Sequence, residues 1–371
     1  MNLAEKSTPL SEVTTTRNST ILPFVSVVVP GFNEEALIEK HLRILWDYMK
    51  TIEDRYRWEL IFVNDGSGDN TGELANRFAE THENVKVLHH FKNFQLGQAL
   101  RYAFNNCRGE YIVVMDLDLS YSPDHIERLL DAIQKSRAKI VIASPYMEGG
   151  QVSNVPWLRK FMSRWANRFL SLTAKGKLST LTGMVRAYDA KFIGILNTKA
   201  MDMAINPEII YKAQLLRGYI IEMPAHLSWS MQKSAGKSRS SSMKILWTIL
   251  SSLFSGYLFR PFMFFILPGL AILAISLYPI IWSFIHTFHY YMNSAAVEGI
   301  GYHFSEAIAA AFQLSPHAFI VGGFGLMVSI QLISLGILSL QKKRYFEELF
   351  HLQSMRLKKC LECEHRIFSK L

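Results

Sequence analysis

The chain has 371 residues, 49% hydrophobic and 19% charged, with a formal net charge of +9 and three cysteines. This composition excludes a disordered polyelectrolyte and a disulfide-framed miniprotein, and the length allows one large domain or two ordinary ones. The positive balance fits a body resting against an anionic leaflet; no nucleic-acid motif accompanies it, so no nucleic-acid partner is expected.

Residues 1–22 are rich in Ser and Thr, lack an apolar segment and read as a disordered tail. From 24 to about 145 strand and helix patterns alternate. Strands are predicted at 24–29, 59–63, 84–88, 111–115 and 139–143, and helices at 34–51, 70–81, 95–106 and 123–135. Such alternation implies an α/β domain, here 23–240, with a mostly parallel sheet and helices on both faces. Ligands of these sheets bind at the carboxyl ends of the strands. Three strand ends carry polar signatures: Pro30-Gly31-Phe32-Asn33-Glu34-Glu35, Asn64-Asp65-Gly66-Ser67 and Asp116-Leu117-Asp118. Asp65 is placed to hydrogen-bond a base or ribose, and Gly66 lets the turn close. Asn33 and Glu34 open a helix, where capping is the ordinary role of such residues. Asp116 and Asp118, spaced i, i+2 after an apolar run, can face one divalent cation, Mg²⁺ or Mn²⁺, and a diphosphate.

Further along, 157–172 has helical spacing with Arg159, Ser163 and Asn167 on one face, and 205–216 is a helix containing Glu208. A short strand at 219–223 ends at Pro224. Residues 241–260 read as an amphipathic helix in the membrane interface. Within 261–341 two uncharged stretches, 261–285 and 318–340, are each long enough to cross a bilayer. Lys and Arg flank both stretches and are absent from the connector 286–317, which places the connector outside and both termini and the α/β domain in the cytoplasm. The basic tail 342–371 includes a charged helix, 345–359, expected on the membrane surface. Two spans in one chain leave room for a homo-oligomer. Cys360 and Cys363 read as reduced thiols, and His286, His289 and His303 as interfacial residues without a metal.

VSVVVPGFNEE, ELIFVNDGSGDNT and EYIVVMDLDLSYSP, in this order and spacing, resemble a family 2 glycosyltransferase with a GT-A fold, over about residues 24 to 240. With two C-terminal spans the chain is most similar to the polyprenyl-phosphate glycosyltransferases, the dolichol-phosphate mannose synthase and undecaprenyl-phosphate glucosyltransferase type. The resemblance implies that Pro30, Phe32, Asn33, Glu34, Asp65 and Asp116 frame the nucleotide of a nucleotide-sugar donor. It assigns Asp116, Asp118 and Ser120 to the metal, Glu208 to the neighbourhood of the sugar, and Arg159 and Arg186 to the acceptor end. Ser144, Tyr146, Arg159, Ser163, Arg164, Lys237 and Arg239 would surround the lipid acceptor and the diphosphate.

Four positions depart from the pattern. Ser120 stands where the family has Gln, Pro145 where it has Arg, Lys233 where it has Arg, and no acidic residue lies near Ser179. The implied activity is inverting transfer from a UDP- or GDP-sugar to a polyprenyl phosphate at the cytoplasmic leaflet. The loss of Arg at 145 keeps a second acceptor open, a lipid hydroxyl such as that of diacylglycerol, with Glu208 or Asp202 as base. A non-catalytic membrane scaffold or lipid-flipping partner is the reading from another class.

Overall fold

The computed structural model describes residues 22–155, 157, 161, 163, 164, 167, 168, 178–229, 262–293 and 300–368. The expectations for residues 1–21, for Arg159, Lys237 and Arg239, and for the interface helix at 241–260 lie outside the described residues.

The strands are β1 (Phe24–Gly31), β2 (Arg57–Asn64), β3 (Val85–His89), β4 (Tyr111–Val114), β5 (Ile140–Ser144), β6 (Gln151–Ser153), β7 (Arg186–Asp189), β8 (Ile220–Pro224) and β9 (His226–Ser228). Seven of them form one sheet in the order β3-β2-β1-β4-β7-β5-β8; β6 and β9 make a small parallel pair. All pairings in the large sheet are parallel except those of β7, which runs antiparallel between β4 and β5. The mostly parallel α/β sheet matches the expected class. The chain passes from β1 to β2 on one side and returns to β4 on the other. The crevice where the order reverses therefore opens over the carboxyl ends of β1, β2 and β4.

The soluble helices are α1 (Ile38–Thr51), α2 (Thr71–Glu80), α3 (Leu96–Phe104), α4 (Asp124–Ser136), α5 (Ala190–Ile195) and α6 (Ile205–Leu215). Alternating side chains send each strand into two cores. Val25, Val27, Val29, Leu60 and Phe62 pack with Leu42, Leu45 and Met49 of α1 and Leu129 and Leu130 of α4. Val28, Ile61, Val63 and Val114 pack with Ala99 and Leu100 of α3 and Ile209 and Ile210 of α6. This period of two is why β1 and β2 read as unbroken apolar runs: both faces are covered. At the edge opposite the crevice, the buried carboxylate of Glu59 accepts from Ser26 Oγ (2.6 Å), from the Arg108 backbone N–H (2.7 Å) and from Arg108 Nε (2.9 Å). A charge buried there is tolerated because both of its oxygens accept hydrogen bonds, one of them from the Arg108 guanidinium.

Beyond the domain lie α7 (Phe262–Asn293), α8 (Ile300–Leu314) and α9 (Pro316–Phe368). α7 and α9 are long and apolar enough to cross a membrane, and their apolar windows are only 11% and 17% buried, unlike the core helix of a soluble protein. Ile275, Tyr278, Phe284 and Phe324 point outward, each at least 64% exposed. The two helices approach through glycines. A Cβ on Gly325 would stand 2.1 Å from Ser276 Oγ, and one on Gly336 would stand 2.3 Å from Ile266 Cγ1.

Two expectations change. The connector contains a helix, α8. The charged tail helix is not a separate element: it continues α9 without a break over 53 residues.

Candidate active site

The loops after β1 and β2 are sewn together by short polar side chains. The Asn33 N–H donates to Ser67 Oγ (3.0 Å), the Gly68 N–H to Asn33 Oδ1 (2.9 Å) and the Glu34 N–H to Thr71 Oγ1 (2.8 Å). Asn33 sits at φ 55°, in the left-handed region that Asn tolerates, and the four residues after it form a turn. This is why α1 begins at Ile38 and not at 34. Gly66, at φ +67°, is required twice over: a Cβ there would lie 2.1 Å from the Lys92 carbonyl carbon.

Asp65 is buried at the tip of β2. Its Oδ1 accepts from His90 Nδ1 (2.7 Å) and from the Phe94 backbone N–H (3.0 Å). The His90 ring is stacked on Tyr102 and meets Phe94 edge-on, so the donor is fixed in place. Oδ2 has no hydrogen-bond partner among the described residues and is the atom left to the cleft, which Asp65 lines.

Asp116 and Asp118 follow β4 in a turn, not in an extended strand. The Leu119 N–H donates to Asp116 O (3.2 Å), and Leu119 takes φ 49°. Asp118 Oδ1 accepts from the Ser120 N–H (3.0 Å) and Ser120 Oγ (2.6 Å), so Ser120 orients the carboxylate from behind. His41 of α1, itself buried, donates through Nδ1 to Leu117 O (2.8 Å) and braces the turn from below. Burial and the charge on Asp118 push the Asp116 carboxyl up to about 8. Two carboxylates held this way resist joint ionisation, and a cation between them removes the conflict. Among the described residues no group of three or more His, Cys, Asp or Glu forms a metal cage. The pair fits a cation that completes its shell with water and substrate phosphate oxygens, as Mg²⁺ commonly does.

A cleft of about 460 Å³ gathers these elements, lined by Pro30, Phe32, Glu34, Asp65, Asp116 and Asp118 together with Asn93, Gln95, Leu96, Met184 and Met203. Of the expected donor residues, only Asn33 is absent from its lining.

The other expected residues fall elsewhere. Ser144 is fully buried with its Oγ 2.7 Å from Thr180 Oγ1, and Tyr146 OH donates to Ser163 Oγ (2.7 Å). Asn167 Oδ1 accepts from the Leu181 N–H (2.9 Å) and gathers the 181–182 turn. Arg164 is described and exposed. Arg186 has no accessible surface: its guanidinium donates to Asn206 O (3.0 Å) and Leu181 O (2.6 Å), and burial lowers its pKa. Glu208 stands behind the cleft wall. Its carboxylate accepts from the N–H groups of Lys199 (3.0 Å) and Ala200 (2.7 Å) and pairs with Lys212 (2.7 Å).

His90, His41 and Glu222 escape a reading of the sequence. Glu222 of β8 accepts from the N–H groups of Ser179 (2.7 Å) and Thr180 (2.6 Å), so the acidic group missing near Ser179 arrives from another strand.

Residues 26–194 match Glycosyl transferase family 2. This part of the chain is a family 2 glycosyltransferase domain. Among curated relatives, a dolichol-phosphate mannosyltransferase from Pyrococcus furiosus is 34% identical over 142 residues, 38% of this chain and 39% of its own length. The dolichyl-phosphate beta-glucosyltransferase ALG5A from Trichomonas vaginalis is 28% identical over 210 residues, 54% and 64% of the two lengths. A polyprenol monophosphomannose synthase from Mycolicibacterium smegmatis is 34% identical over 147 residues, 38% and 55%. The chain thus spans less than two thirds of each relative.

Among solved structures, glucosyl-3-phosphoglycerate synthase from Mycobacterium tuberculosis in complex with Mg²⁺ and UDP overlays with a TM-score of 0.47 at 18% identity, covering 63% of this chain and 79% of that one. The mannosyltransferase PcManGT from Pyrobaculum calidifontis, in complex with GDP-Man and Mn²⁺, gives 0.40 at 16%, covering 91% and 87%.

Proposed function

We propose that the chain is a membrane-anchored, inverting glycosyltransferase that moves a sugar from a nucleotide sugar to a polyprenyl phosphate at the cytoplasmic leaflet. The observation that carries this reading is the convergence of Asp65, Asp116 and Asp118 on one cleft at the point where the strand order reverses. Asp65 Oδ2, Phe32 and Pro30 would hold the nucleoside. Asp116 and Asp118 would hold Mg²⁺ or Mn²⁺, which when bound supplies positive charge to a departing diphosphate. Ser120 and His41 act one step back, keeping the carboxylates aimed. The names of the curated relatives, each a sugar transferase of dolichyl or polyprenol phosphate, support the acceptor class.

A phosphate nucleophile is anionic at neutral pH and needs positioning more than a general base. The commitment of Glu208 to two backbone N–H groups and Lys212 takes away one of the two carboxylates, Glu208 and Asp202, that could serve a hydroxyl acceptor as base; Asp202 Oδ1 accepts from the Ala204 N–H (2.9 Å). Arg159, Ser163, Arg164, Lys237 and Arg239, with Ser144 and Tyr146, are the residues proposed for the acceptor and diphosphate. The Lys and Arg flanks of the two spans support a cytoplasmic domain and an outward connector.

Membranes carrying the full chain, incubated with radiolabelled UDP- and GDP-sugars and extracted for lipid, test the reading. A labelled lipid that releases its sugar in mild acid is the expected product. A labelled lipid stable to mild acid would mean a hydroxyl acceptor, and no labelled lipid from any donor would overturn the reading.

A further inference from the structure

The part of α9 that leaves the apolar stretch stands against the glycosyltransferase domain. Lys343, Phe346, Glu347 and Phe350, at i, i+3, i+4 and i+7, form one helical face turned toward α6. The Phe346 ring stacks with Tyr211 at 6.3 Å, Lys343 Nζ lies 5.7 Å from the Tyr211 ring, and Lys212 Nζ lies 5.5 Å from the ring of Phe350. Burial and the neighbouring Glu347 carboxylate raise the Tyr211 phenol. Phe350 is ten residues past Leu340, the end of the second uncharged stretch, about 15 Å along a helix, and the charged run Lys342-Lys343-Arg344 lies between them.

The contacts continue inward. Lys212 is buried, and its ammonium is shared among Glu208 (2.7 Å), Asn197 O (2.6 Å) and the Phe350 ring face. Glu208 in turn holds the N–H groups of Lys199 and Ala200. The next residues lock onto α3: the Gly97 N–H donates to Met201 O (2.6 Å), and Arg101 Nη1 donates to Ala200 O (2.5 Å). A Cβ on Gly97 would stand 2.1 Å from Ala200 O, so α3 accepts this segment only through a glycine. Residues 199–203 are therefore a wedge between α6 and α3. The wedge ends at Met203 and α3 begins at Leu96, and both line the cleft with Asp116 and Asp118.

We propose that the emergent half of α9 is a strut that sets one wall of the donor cleft from the membrane side, with Lys212 and Glu208 as positioning residues. The cleft's role in donor binding rests on the function proposed above; the mechanical link does not. In this arrangement the membrane anchor does more than tether: its seating on α6 decides where Met203 stands. A cation over an aromatic face gains attraction from the ring as well as from packing, so the ring and not merely its bulk should matter.

The test uses the full chain in nanodiscs. Phe350→Leu keeps apolar bulk and loses the ring, whereas Phe350→Tyr keeps the ring. Amide exchange is followed by mass spectrometry on the peptide covering 197–204, with peptides from β1 and β2 as internal standards. Phe350→Leu is expected to speed exchange at 199–200 by about ten-fold, the signature of local opening, with β1 and β2 unchanged. Phe350→Tyr should restore the wild-type rate. Donor KM should rise in Phe350→Leu while kcat at saturation holds. Unchanged exchange in Phe350→Leu, or equal slowing or speeding of every peptide in both variants, would overturn the strut. A wild-type chain that shows the coupled exchange but turns over no nucleotide sugar would overturn the function and leave the strut standing.

Discussion

Asp116 and Asp118 oppose each other in a half-buried turn, and the fold keeps them there at a cost to itself. A carboxyl whose folded-state pKa is raised from 3.8 to about 8 binds its proton more tightly in the fold than in the unfolded chain. Stability from that group is present at low pH and is lost as pH rises from about 4 to about 8. In chelating buffer the wild-type Tm should therefore fall across this window. Asp116→Asn should flatten that fall and raise Tm at pH 8, while abolishing transfer; a steeper fall in the variant would contradict the assignment. Asp118→Ala should remove most turnover while leaving the chain folded, as judged by circular dichroism and membrane insertion. Gly66→Ala meets both a left-handed φ and the Lys92 backbone, and should cost about 2 kcal/mol or more in denaturant unfolding.

At the scale of elements, the legible parts were those buried on both faces. β1, β2 and β4 announced themselves as apolar runs ended by polar signatures, and the donor residues follow from where such strands end. β7 escaped because it is four residues long and places Arg186 at a fully buried position, where burial of an arginine is decided by the carbonyls of Leu181 and Asn206. No local pattern encodes those partners. Glu222 and His41 were illegible for the same reason: each acts on backbone groups remote in sequence. The helix at 345–359 was legible as a helix; that it continues α9 and sets Phe346 and Phe350 against Tyr211 and Lys212 on α6 was not, because those partners are remote in sequence. The α7–α9 pair depends on close approach at glycine. Replacing Gly325 and Gly336 together by Leu should separate the helices and lower stability by about 1–3 kcal/mol in detergent unfolding. An unaltered Tm would mean that the helices do not meet there.

At the scale of the molecule, a sheet crevice and two helices long and apolar enough to cross a membrane are joined in one chain, and the proposed function would have the cleft receive a reactant delivered by the bilayer. The flanking charges give this arrangement a direction. A cysteine introduced at Gln313, in α8, should react with a membrane-impermeant maleimide on intact cells, and one at Arg137, after α4, only after lysis; the reverse pattern would invert the topology. Electron paramagnetic resonance of Mn²⁺ titrated into the purified full chain, with and without nucleoside diphosphate, most directly tests the claim that Asp116 and Asp118 share a cation with the donor. The account predicts one Mn²⁺ bound per chain, tightened by the nucleotide and lost in Asp116→Ala and Asp118→Ala. Mn²⁺ binding that survives both substitutions, or that ignores the nucleotide, would contradict it.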